Sequence, residues 1–306
     1  MRVVLFASGG PLSLAALGAL HEGAEVVGVV IPRERGAWTP RAMVRRIMLA
    51  RARAPLLRTA RLLDVPLVTS ARGRDAELEE AVGALAPHLL VVASFPRLLS
   101  PSLLAVPRFG ALGLHASRLP RHRGPVPLFW TYFQDDTEAG LTLFWLDAGE
   151  DTGAILAAGS VPLPRGLPID DLYSMLAEKG AALLRHALPE IGAGTAPRVP
   201  QDESVATREP APRPGRWRID HESWDAERVW HVLSGLGGRH RLLVDENGRP
   251  VAHGRATRYR LEAHGRRPGS IEPVDGGWLV YCRDGVVEVA GLRRLARWRE
   301  CLRSRP

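Results

Sequence analysis

The first 160 residues alternate short, continuously apolar runs with amphipathic stretches, and this alternation constrains the fold more than any other feature of the chain. "RVVLFAS", "AEVVGVVI", "VPLVTS", "PHLLVVAS" and "ALGLHAS" read as strands buried on both faces. Between them, "PLSLAALGALHEG" and "DAELEEAVGALA" carry helical spacing, as does the basic run "TPRAMVRRIMLARARAPLLRTARLLD", which Pro55 is expected to break. Buried strands alternating with amphipathic helices imply βαβ units, hence an α/β fold with a doubly wound, mostly parallel sheet. The carboxyl ends of "RVVLFAS", "PHLLVVAS" and "ALGLHAS" then lie along one sheet edge, where ligands bind in such sheets. His115 sits at that edge.

The same alternation decides the N-terminus. "MRVVLFASGGPLSLAALGAL" has the apolar content of a signal peptide, but Gly9-Gly10-Pro11 interrupts it and its first half is β-branched. It reads as strand, tight turn and helix, and no apolar run reaches transmembrane length. Cys282 and Cys301 are far apart and match no metal spacing, so neither a metal site nor a disulfide-linked partner is expected, and the expected compartment is the reducing cytoplasm.

After the strands "AGLTLFWLD" and "GAILAAGSVPL" comes a long helix, "PIDDLYSMLAEKGAALLRHALPEI". Residues 196–215, rich in Pro, Arg, Thr and Ala, read as a surface linker between a domain of residues 1–195 and one of 216–306. The second domain has one helix, "DAERVWHVLSGL", a hairpin around Asn247-Gly248 and further short strands, which together suggest a small β-rich, barrel-like unit. There is no internal repeat, no GxGxxG and no Walker loop.

The formal charge is +8, yet Lys179 is the only lysine, and the Arg, Ala, Gly and Pro bias is that of a GC-rich genome. The charge is uneven: seven arginines and one acid lie between Arg33 and Arg53. Arg41, Arg45 and Arg46 of this block suit a phosphate backbone, or else they mark a solvated helix face.

Two segments carry site chemistry. One is "GLHASRLPRHRGPVP" from Gly113; the other is "LDAGEDTGAIL" from Leu146. A histidine beside a carboxylate shuttles protons, because the carboxylate fixes the imidazole tautomer and stabilises its cation. Asp151 is the first candidate for that carboxylate and Asp147 the second, and a purely structural His–Asp pair is the alternative.

Together these segments resemble the folate-dependent formyltransferases, in particular those acting on methionyl-tRNA. The family's Asn-x-His-x-Ser-x-Leu-Pro-x-x-Arg-Gly-Pro motif is matched by His115, Ser117, Leu119, Pro120, Arg123 and Gly124, and its Asp-rich loop by Asp147 to Gly153. "QDESVAT" at 201–207 and "GRWRID" at 215–220 are similar to the start of the C-terminal domain of the tRNA enzymes. The resemblance implies 10-formyltetrahydrofolate as donor, an amine as acceptor and no metal. His115 would carry a proton from the attacking amine to the departing folate nitrogen, and Asp151 would orient and charge-balance it. Ser117 belongs to the same catalytic motif. Phe95, Leu98, Leu99, Asp147 and Gly149 would form the folate pocket, with core packing as the alternative for the three apolar ones. Arg123 and Gly124 would lie against substrate.

Two departures bear on function. Gly113 stands where the family has Asn, whose amide donates to the developing oxyanion; losing one such donor typically costs about 10²–10³ in rate. Either a water or a main-chain N–H in the vacated space replaces it, or the acceptor fills the gap, or catalysis is lost. Secondly, the insertion after the second strand and the segment "LSGLGGRHRL" differ from those of the tRNA enzymes. The expectation is therefore formyl transfer to a specialised small-molecule or sugar amine. The alternatives are transfer to methionyl-tRNA, a non-catalytic folate- or RNA-binding relative, and hydrolysis of the formyl donor.

Overall fold

The computed structural model describes residues 1–33, 39–213, 216–221, 223–245 and 247–291, with backbone alone at 40–42 and 45. Along the chain run β1 (Arg2–Ala7), α1 (Pro11–Gly23), β2 (Glu25–Pro32), α2 (Pro40–Leu62), β3 (Leu67–Ser70), α3 (Asp75–Ala84) and β4 (Leu89–Ala93). They are followed by α4 (Pro101–Leu104), β5 (Ala111–His115), α5 (Pro127–Phe133), β6 (Glu138–Trp145), β7 (Ile155–Pro162) and α6 (Ile169–Ala193). The C-terminal elements are α7 (Ala226–Leu236), β8 (Ala256–Leu261), β9 (Ile271–Val274), β10 (Gly277–Tyr281) and β11 (Gly285–Ala290).

Two compact units result. The first takes Met1–Leu128, Glu138–Pro162 and Asp170–Pro210; the second takes Phe129–Thr137, Leu163–Ile169 and the chain from Ala211 onward. The segment of linker-like composition thus belongs, up to Pro210, to the first unit.

In the first unit a seven-stranded sheet has the order β3-β2-β1-β4-β5-β6-β7. Strands β1 to β5 pair in parallel and β6 alone runs the other way, pairing antiparallel with β5 and β7, which makes the sheet mixed but mostly parallel. Every residue of β1 from Val3 to Ala7 is buried, as a strand covered on both faces requires. The chain winds outward from β1 to β3 and then crosses to β4 on the other side of β1. That reversal opens a crevice beyond the carboxyl ends of β1 and β4.

Pro55 does not end α2, which runs unbroken from Pro40 to Leu62. Proline removes the hydrogen bond to the carbonyl of Arg51, but both residues are exposed, so water can satisfy that carbonyl.

In the second unit, α7 is capped by Asp225, which accepts from the Arg228 N–H at 2.8 Å. The helix packs on β8 and β11 of a four-stranded antiparallel sheet ordered β8-β11-β10-β9. The Asn247-Gly248 turn forms as expected, with Val251 N–H bonded to Leu243 O at 2.8 Å and Gly248 at φ 73°. Cys282 is buried and its thiol is pushed up to about 12 by burial, which leaves it unreactive at neutral pH; Cys301 lies outside the described residues.

This unit also buries neutral histidines. His231 accepts the Gly166 N–H at Nδ1 and stacks on Tyr132, and burial lowers its pKa to about 4. Burial likewise lowers His221 to about 4. Unfolded, each ring takes a proton below its ordinary value of 6.5; folded, it does so only near 4. Unfolding therefore binds protons in this window, so stability is complete above pH 6.5 and falls as pH drops towards 4, by up to about 3 kcal/mol per ring. Urea midpoints at pH 7.5, 6.0 and 4.5 test this: His231→Gln flattens the decline, and an equal decline in the variant would refute the assignment.

Candidate active site

The crevice beyond β1 and β4 is a cleft of about 520 Å³ in the first unit. Ser8 closes off β1 and Ser94 closes off β4, and both line it. Ser94 has φ 59°, an uncommon conformation for a residue with a side chain, and its carbonyl accepts the Ser8 hydroxyl. Phe95, Leu98 and Leu99 form one wall, with Phe95 set edge-on against Phe6 at 5.3 Å. Arg97 lines the same wall, held by Asp75 and by the Ser70 hydroxyl. Gly113, His115, Gly124, Asp147, Gly149 and Asp151 line the opposite side.

His115 is the last residue of β5, and parallel pairing with β4 brings it to the cleft. Its Nε2 lies 2.8 Å from the His122 carbonyl. A carbonyl can only accept, so Nε2 carries the proton in the neutral ring and Nδ1 keeps a lone pair. Nδ1 faces Asp151 Oδ2 at 3.6 Å, within ion-pair range but too long for a hydrogen bond. The His122 carbonyl sets the tautomer, and Asp151 places its carboxylate beside Nδ1. Asp151 Oδ2 also accepts the Gly124 N–H at 2.9 Å. Gly124, at φ 114°, has no room for a Cβ against the Glu209 carbonyl.

Asp147 folds the carboxylate loop. Its Oδ1 accepts the Gly149 N–H at 3.0 Å and the Thr152 hydroxyl at 2.7 Å, an Asx turn that sets up Asp151.

Two expected site residues bond other groups of the chain. Ser117 is buried outside the cleft lining, and its hydroxyl donates to the Arg121 carbonyl at 2.7 Å. Arg123 is buried too, with its guanidinium committed to Gln201 Oε1 (2.7 Å from Nη2) and to both Glu203 oxygens (2.9 and 2.6 Å). The Glu203 hydrogen bond raises the pKa of Arg123 further. Of the basic block, Arg46 is half-buried, and the side chains of Arg41 and Arg45 lie outside the described residues.

Gln201 and Thr207 are the functional residues that sequence reasoning missed. Gln201 Nε2 donates to the carbonyls of Asp151 (2.9 Å) and Gly153 (2.8 Å) while its Oε1 receives Arg123. Thr207 bonds Pro120 O, His122 N and Arg123 N. "QDESVAT" is thus a brace that ties the histidine loop to the carboxylate loop. It carries no helical or strand period, and Gln201 and Thr207 are only half-buried. Among the described residues, no group of three or more His, Cys, Asp or Glu could hold a metal, and no helix is long and apolar enough to cross a membrane.

The doubly wound sheet thus brings an imidazole and a carboxylate together at its switch-point cleft. Comparison gives the class. The formyl transferase family model matches residues 1–188. The chain is 33% identical over 244 residues to the methionyl-tRNA formyltransferase of Moorella thermoacetica, covering 79% of this chain and 75% of that one. An N-formyltransferase from Helicobacter canadensis, solved with folinic acid and dTDP-3-aminofucose, shares the fold at TM-score 0.66 and 16% identity, covering 95% and 98% of the two chains. HypX from Aquifex aeolicus, solved with tetrahydrofolic acid, shares it at TM-score 0.61 and 18% identity over 94% of this chain; the match spans only 43% of that protein. The chain belongs to the formyl transferase family, as a folate-dependent N-formyltransferase using 10-formyltetrahydrofolate.

Proposed function

We propose that His115 and Asp151 transfer the formyl group to the amine of an aminoacyl-tRNA, methionyl-tRNA first among them. The amine lone pair attacks the formyl carbon, and the C–N10 bond of the donor breaks as the tetrahedral intermediate collapses. His115 Nδ1 accepts the amine proton and returns it to N10, with Asp151 stabilising the imidazolium between the two steps. The pterin lies along Phe95, Leu98 and Leu99. The residues present fit such a donor: an apolar wall for the ring and a base with a lone pair facing the cleft.

One observation carries the choice of acceptor. Helix α2 has seven arginines and no acid. It is tied to the cleft rim by Gly10 N–H to Ala52 O (3.2 Å) and by Arg53 Nε to Ser8 O (3.0 Å). Arg51, Arg58 and Arg61 are exposed on it. A cationic helix anchored beside the site favours a polyanionic acceptor. The sequence identity to methionyl-tRNA formyltransferases supports the same reading. The small-molecule or sugar amine is the second reading, favoured by Gly113 and by the divergent "LSGLGGRHRL" segment.

Salt separates the two. Three phosphate contacts predict that log Kd for methionyl-tRNA rises with log salt at a slope of about 2 or more, and that replacing Arg51, Arg58 and Arg61 by Gln flattens it. A Kd unchanged between about 50 and 200 mM salt would leave the small amine as the acceptor.

A further inference from the structure

Gly113 and Phe144 are directly opposite each other in the antiparallel pairing of β5 with β6. Side chains at such a pair share one face of the sheet. The Phe144 ring lies where a side chain at 113 would stand: a Cβ there would be 2.5 Å from Phe144 Cε1, 2.7 Å from Cζ and 2.9 Å from Leu146 Cδ2. Phe144 is 2% exposed. It also meets His115 edge-to-face, with centroids 6.5 Å apart at 85°, a favoured aromatic geometry. All four residues line the cleft. The position that a Cβ at 113 would take is therefore filled by Phe144 and Leu146.

We infer that Phe144 is a positioning residue matched to Gly113. Its ring takes up the volume of the absent side chain and fixes the flank of His115, whose other end is held by the His122 carbonyl. The site is rebuilt around glycine, and restoring Asn at 113 damages it. This inference rests on the formyl-transfer chemistry and not on which amine accepts.

The test compares wild type, Gly113→Asn, Phe144→Ala, Phe144→Leu and the double variant Gly113→Asn/Phe144→Ala. Four measurements are made: melting temperature, kcat for formyl transfer, the Kd of folinic acid, and the His115 ring signal in the NMR spectrum, assigned by its loss in His115→Ala. Gly113→Asn is expected to lower the melting temperature by about 4 °C or more, and the double variant to recover at least about half of that loss. Phe144→Ala moves the His115 signal and lowers kcat for formyl transfer by about 10- to 100-fold, with folinic acid Kd changed less than about threefold. Phe144→Leu, which keeps most of the bulk, stays nearer wild type on both readings and serves if the alanine variant does not fold. Three outcomes would overturn the inference: Gly113→Asn as stable and as fast as wild type, purely additive losses in the double variant, or a His115 signal unmoved by either Phe144 change. If wild type itself does not formylate methionyl-tRNA, the acceptor reading fails, while melting and NMR still decide the role of Phe144.

Discussion

Replacing His115 by Ala lowers kcat for formyl transfer by about 10²–10⁴-fold and leaves folinic acid binding within a few-fold of wild type. The split follows from position. In the proposed mechanism Nδ1 takes the proton, whereas the pterin lies along Phe95, Leu98 and Leu99, which line the same cleft. With Nε2–H engaged by the His122 carbonyl, no second nitrogen of the ring can take over the proton. Stopped-flow release of tetrahydrofolate together with a fluorescence titration of folinic acid gives both quantities. A variant that no longer binds folinic acid would instead make His115 a structural residue.

Asp151→Asn comes second in size, at about 10²-fold in kcat with little change in melting temperature. An asparagine oxygen can still accept the Gly124 N–H, so the loop keeps its shape, and what is lost is the negative charge 3.6 Å from Nδ1. At an effective dielectric near 20 such a pair is worth about 4 kcal/mol, and partial exposure of both side chains reduces this to about 2–3 kcal/mol, or roughly 10²-fold. Asp151→Ala additionally frees Gly124 and is expected to melt earlier. Equal kcat in the Asn variant and wild type would show that the carboxylate serves the loop and not the imidazolium.

Which parts of this arrangement the sequence discloses depends on the range of the interactions involved. The doubly wound sheet is legible because burial on both faces writes itself as continuous apolar runs such as "RVVLFAS" and "PHLLVVAS". His115 and the Asp151 loop are legible because each sits at a strand end inside a short motif. The partners of those motifs are not. Phe144 over Gly113 depends on the register of β5 against β6, which no local pattern prints. The resemblance implies that Arg123 lies against substrate; the fold shows its guanidinium hydrogen-bonded to Gln201 and Glu203. Residues 196–215 have a linker's composition, yet the backbone of Thr207 and Glu209 bonds that of Pro120 and Arg123 in the histidine loop, and Val199 pairs with Ile155. Pro55 misleads for the opposite reason: its local rule is sound, but solvent at the exposed side of α2 removes the penalty on which the rule depends.

The most direct test of the central claim is tetrahydrofolate release from 10-formyltetrahydrofolate by the wild-type enzyme, with and without methionyl-tRNA. The account predicts release that requires the charged tRNA and matches the formyl-methionine formed, mole for mole. Folate that binds but is not turned over with methionyl-tRNA, amino sugars or amino acids would contradict it.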